Sequence, residues 1–66
     1  MEVKDVIATL KNANIVIEVV KSETEWEVKH FGMETNVPKT LLNKEVIELY
    51  QFVLNDMPML QITVKE

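Results

Sequence analysis

The sequence predicts an α+β fold: a small single-layer sheet of three or four largely antiparallel strands packed against two helices, in the order α-β-β-(β)-α-β. Three stretches predict it. On a helical wheel residues 43–55 stack Val46, Leu49, Tyr50 and Val53 on one side with Ile47 and Leu54 flanking, leaving Lys44, Glu48, Gln51 and Asn55 as a narrow polar stripe. Residues 15–21 are β-branched at five of seven positions, which suits a pleated ladder and disfavours a helix. Residues 59–64 alternate, with Leu60, Ile62 and Val64 on a core face and Gln61 and Thr63 opposite.

A chain of 66 residues has room for one domain, which buries only about 60% of the surface its unfolded form exposes. Small domains add disulfides, metals or self-association to compensate. With no cysteine the first is excluded, as is a thiolate metal site, so self-association remains. The net charge of −4 and the absence of arginine disfavour nucleic acid, because phosphate binding needs clustered positive charge. The seven lysines are scattered along the chain. Apolar runs are short and interrupted by charge, which excludes a membrane span, and the N-terminus lacks the plan of a secretory signal. The expected location is the cytoplasm.

In chain order, Val3, Val6, Ile7 and Leu10 follow the i, i+3, i+4, i+7 spacing of an amphipathic helix over residues 2–12, which Asn12 and Asn14 end. Residues 15–21 point Ile15, Ile17 and Val19 one way and Val16, Glu18 and Val20 the other, so this strand belongs in the centre of the sheet. Residues 25–31 alternate, with Trp26, Val28 and His30 opposite Glu25, Glu27 and Lys29, and form a hairpin with the preceding strand. Gly32 suits a positive φ, residues 33–37 read as a short strand or a loop, and Pro38 ends that stretch. Asn43 caps the long second helix, Leu49 lies in its core stripe, and Asn55 and Pro58 stop it. A helical crossover then lets the last strand lie beside the first, antiparallel to it and parallel to the second.

No catalytic constellation emerges. His30 is the single histidine and Ser22 the single serine, set apart by the length of the hairpin, and no second ligand joins His30 to hold a metal. A pocket beneath Trp26, Tyr50 and His30 is the weakest alternative. No cofactor is expected. The informative feature is the sheet face turned away from the helices, where Val16, Val20, Phe31 and Met59 adjoin the carboxylates of Glu18, Glu25 and Glu27. Phe52 lies outside the buried arc of the wheel, with Met57 and Met59 near the helix end. These nine residues form the candidate protein interface. The expected function is a non-enzymatic protein-interaction module, a homodimer that binds another protein in the manner of a phage or mobile-element inhibitor or accessory factor. The alternative is a small dimeric nucleic-acid-binding regulator.

Overall fold

A computed structural model describes residues 1–66. The chain runs through α1 (Val3–Ile7), β1 (Asn14–Val20), β2 (Trp26–Met33), two single 3-10 turns (Glu34–Asn36 and Lys39–Leu41), β3 (Val46–Leu54) and β4 (Met57–Lys65). The strands make one mixed sheet in the order β2-β1-β4-β3. β1 pairs antiparallel with β2 and parallel with β4, and β3 pairs antiparallel with β4.

The expected packing of two helices on a three- or four-stranded, largely antiparallel sheet is corrected: one five-residue helix is present, and residues 46–54 of the expected second helix are a strand. The physical reason lies in those residues themselves. Val46, Ile47, Tyr50, Phe52 and Val53 are β-branched or aromatic, types that fit a pleated surface. As a helix this segment would be apolar on most of its circumference and would need more cover than a small chain can supply. As a strand it satisfies its backbone against β4 across a two-residue turn. Asn55 and Asp56 both have positive φ, 49° and 63°, the type I′ geometry whose twist matches a hairpin. The left-handed tolerance of Asn55, read as a helix stop, serves this reversal instead.

The turn carries a strain that can be relieved. Glycine occupies positive φ without the Cβ clash that aspartate meets there, so Asp56→Gly should stabilise the fold by ~0.5–1 kcal/mol. The shift in the urea midpoint at constant m-value measures it. The hairpin also reverses the last strand relative to the expectation. β4 does lie beside β1, but parallel to it and antiparallel to β2, because β3 runs in the direction of β2 before the chain turns back.

On the inner face, Val3 and Val6 of α1 and Leu41 of the second 3-10 turn pack against Ile15, Ile17 and Val19 of β1 and Ile62 and Val64 of β4. Ile7 and Leu10 extend this contact, so the four-residue apolar stripe near the N-terminus does meet the core although the regular helix stops at Ile7. Glu2 donates its backbone N–H to the Asp5 carboxylate at 2.9 Å, which satisfies one group at the helix start. Asn12, at φ 55°, turns the chain into β1.

Residues 34–45 cross the inner face from the β2 edge to the β3 edge. Glu34, buried, fastens this crossing: its Oε1 accepts the Ala13 N–H at 2.9 Å, and its own N–H donates to the Ala13 carbonyl at 3.0 Å. The crossing and α1 cover β1, β4 and Val46 at the start of β3, but stop short of the rest of β3. Leu49 and Val53, inner-facing by their pairing with Ile62 and Pro58, therefore remain 44% and 68% exposed.

Candidate protein interface

Strand pairing fixes which side chains share the outer face, because Cα partners point to the same side of a sheet. Reading across β2, β1, β4 and β3, one row holds Met33, Asn14, Met59 and Phe52 and the next holds Phe31, Val16, Gln61 and Tyr50. A third holds Val28, Glu18, Thr63 and Glu48, and Trp26, Val20 and Lys65 close the face at its far end. No helix or loop lies over it. Trp26, Phe31 and Tyr50 are 61%, 59% and 58% exposed, and Tyr50 stacks on Phe52 with ring centroids 6.2 Å apart. Val16 and Met59 lie between the flanks and are buried by them.

The outer face thus has aromatic-rich flanks on β2 and β3, and one polar band, the Glu18–Thr63–Glu48 row, runs across the strands from β1 to the β3 flank. Thr63 occupies the middle of that band, only 7% exposed, with Gln61 Nε2 donating to its hydroxyl at 3.4 Å. Glu18 and Glu48 flank Thr63 one strand away on either side, roughly 10 Å from each other by strand spacing. Both carboxylates border apolar ground.

Of the candidate residues, Val16, Glu18, Val20, Phe31, Phe52, Met57 and Met59 lie on this one face. Glu27 does not share it, and Glu25 precedes β2, in the loop that follows β1. Glu27 pairs with Val19 and so points to the opposite side, and Lys21 and Lys29 both engage its carboxylate. Trp26, Val28, Tyr50 and Leu54 belong to the face without having been picked out for it. The signals for them were present: the alternation of Trp26 with Val28, and the period of two in Glu48, Tyr50, Phe52 and Leu54 followed by Asn55-Asp56.

The expected alternation of β2 fails at one point. Register shifts between Ile17 and Glu18, so that His30 faces Ile17 while Val28 faces Glu18. The bulge puts His30 on the inner side, opposite to Trp26 and Val28. Its Nε2 lies 3.0 Å from the Met33 carbonyl, which accepts from the Nε2–H tautomer. Ser22 Oγ accepts the Thr24 N–H at 3.3 Å in the β1–β2 loop. Trp26, Tyr50 and His30 do not gather: Trp26 and Tyr50 stand on opposite flanks of the outer face, and His30 is on the other side. The single groove, about 400 Å³, crosses the end of the sheet between Leu10 and Ala13 on one side and Val53, Pro58 and Leu60 on the other.

The two lysines hold the Glu27 carboxyl down at about 2, first through hydrogen bonds from Lys29 and Lys21 and then through their charge. A carboxyl whose folded value lies below its unfolded value contributes stability above the unfolded value and loses it as pH falls toward the folded one. The contribution of this exposed cluster should therefore disappear between about pH 4.5 and pH 2. A carboxyl-detected NMR titration should place the Glu27 midpoint near 2. A midpoint at the ordinary glutamate value would mean that the cluster does not persist in solution.

Comparison with protein families, with curated proteins and with solved structures finds no match to this chain. No helix is long and apolar enough to cross a membrane.

Proposed function

We propose that this chain is a non-enzymatic protein-binding module, working as a homodimer, whose outer sheet face takes an amphipathic segment of another protein with a basic residue at the centre of its apolar side. The uncovered face itself carries this reading: exposed aromatics on β2 and β3 beside the Glu18–Thr63–Glu48 row that crosses the strands. Exposed aromatic and apolar side chains gathered on one sheet face mark interaction sites, and a cation between two carboxylates bordered by apolar walls is attracted more strongly than in open water. An inhibitor or accessory factor would use such a face to occupy a partner's helix. The same band disfavours packing of the face on its own copy, which would bring four carboxylates toward one another without a counter-charge. Nucleic acid has less support, since Lys21 and Lys29, the closest pair of cations on the β2 side, are both engaged by Glu27.

The test is NMR mapping with two helical peptides that differ only in carrying lysine or glutamate at the centre of the apolar side. The lysine peptide should shift Phe31, Tyr50 and Thr63 and bind about tenfold more tightly, the effect of ~1.4 kcal/mol from one charge pair at a partly desolvated site. Equal binding of both peptides, or shifts confined to the inner face, would remove the proposal.

A further inference from the structure

We infer that the exposed edge of β3 pairs with β3 of a second copy, antiparallel about a two-fold axis at Gln51, joining two four-stranded sheets into one of eight strands. This names the surface behind the homodimer in the proposed function, and it holds whether or not the outer face binds a peptide.

The two edges of the sheet differ in how they are guarded. β2 carries the Lys21–Glu27–Lys29 cluster and a bulge at mid-strand, features that discourage pairing with another chain. β3 has one charge, Glu48, and its bulge lies at its start between Val46 and Glu48. From Leu49 onward it is regular and uncharged. The N-terminus covers the beginning of this edge: Glu2 bridges Glu45, and the Val46 N–H donates to the Met1 carbonyl at 2.8 Å. The open edge is residues 48–54, with Gln51 at its midpoint.

Proline reveals which backbone groups face outward. Pro58 has no N–H, so its pairing with Val53 exchanges no double hydrogen bond, and Leu54 opposite Met57 is the bonded pair that closes the turn. Bonded and non-bonded pairs alternate in an antiparallel ladder. Phe52, Tyr50 and Glu48 therefore bond to β4, and Leu49, Gln51 and Val53 present N–H and C=O to the outside.

A flat two-fold requires opposed residues to lie on the same sheet face, so the two numbers in each pair must have an even sum. Centring on Gln51 uses the whole open edge. Leu49 then opposes Val53 and Gln51 opposes its own copy in bonded pairs, about six hydrogen bonds in all. Tyr50 opposes Phe52 between them. On the inner face this pairs Leu49 with Val53, apolar residues that stay 44% and 68% exposed in the monomer. On the outer face it continues the Tyr50–Phe52 stack into a ladder of four rings. Glu48 opposes Leu54, and the two copies of Glu48 stand roughly 20 Å apart, beyond the ~8 Å screening length at physiological salt. The contact is about 24 Å long and one sheet thick, well below the ~800 Å² per partner of a standard interface, so the dimer should be in micromolar exchange.

Two measurements on the full chain test this. Sedimentation across a wide concentration range should show a reversible dimer, and Gln51→Lys, which sets two ammonium groups face to face at the axis, should weaken it at least tenfold while leaving circular dichroism unchanged. Gln51→Cys, the sole cysteine in its variant, should form a disulfide-linked dimer under mild oxidation much faster than a Val28→Cys control on the β2 side. A wild-type monomer at every concentration overturns the inference, as does a dimer indifferent to Gln51→Lys, or cross-linking at Val28→Cys as fast as at Gln51→Cys. Phe31→Ser should abolish peptide binding without changing the dimer's mass, so loss of one activity does not mimic loss of the other.

Discussion

Ile17→Ala should remove about half of the domain's folding stability at room temperature. Ile17 is fully buried at the centre of β1, paired with Ile62 on one side and His30 on the other. Truncating a buried isoleucine to alanine costs about 2–5 kcal/mol through lost transfer energy and the cavity left behind. The whole stability of a chain this size is ~3–10 kcal/mol at the usual per-residue values. One substitution therefore consumes a large share of it. Leu49→Ala is the companion measurement, because a core position in a helix would lose as much as Ile17. On the exposed inner face of β3 it should cost less than about 1 kcal/mol in the monomer, measured by urea unfolding at low protein concentration. Comparable losses at both sites would contradict the strand placement of residues 46–54.

The second large effect is expected at Glu34. Its carboxylate is the acceptor for the Ala13 N–H, and Glu34→Ala leaves that donor without a partner in a place water reaches poorly. An orphaned buried donor costs ~1–3 kcal/mol, and each kcal/mol lowers the melting temperature by about 4–8 °C in a domain this small. Glu34→Gln retains an oxygen in the same position and should lose far less. If the two variants melt together, the Ala13 hydrogen bond is not what Glu34 contributes.

The parts of this fold that could be read from sequence are those where a single period holds without interruption. β1 announces itself by five β-branched residues, and its burial on both faces correctly placed it in the interior of the sheet, beside both β2 and β4. β4 alternates without a break, so Leu60, Ile62 and Val64 sort from Gln61 and Thr63 as expected. β3 does not. Its bulge at Ile47 offsets Val46 from the rhythm of the following residues, and because apolar side chains lie on both faces, a wheel accommodates them as readily as a strand. Asn55-Asp56 was the arbiter, since two adjacent residues tolerant of positive φ mark a hairpin more strongly than a helix stop. The outer face was half legible for the same cause. Val16, Glu18, Val20 and Phe31 follow from β1 and its hairpin, whereas Tyr50 and Leu54 become neighbours of Met59 and Met57 only once β3 is a strand. The bulge in β2, which moves His30 to the inner side, left no mark in residue type at all.

The parallel pairing of β1 with β4 also sets the order in which the fold can assemble. The β1–β2 and β3–β4 hairpins are local and form on the microsecond scale, but the centre of the sheet joins residues 14–20 to residues 59–65. Closing that loop demands entropy before its contacts return anything, so docking of the two preformed hairpins is the slow step. Until residue 65 has left the ribosome, the inner edges of both hairpins stand open, and β1, the most apolar strand, waits for the neighbour that completes it.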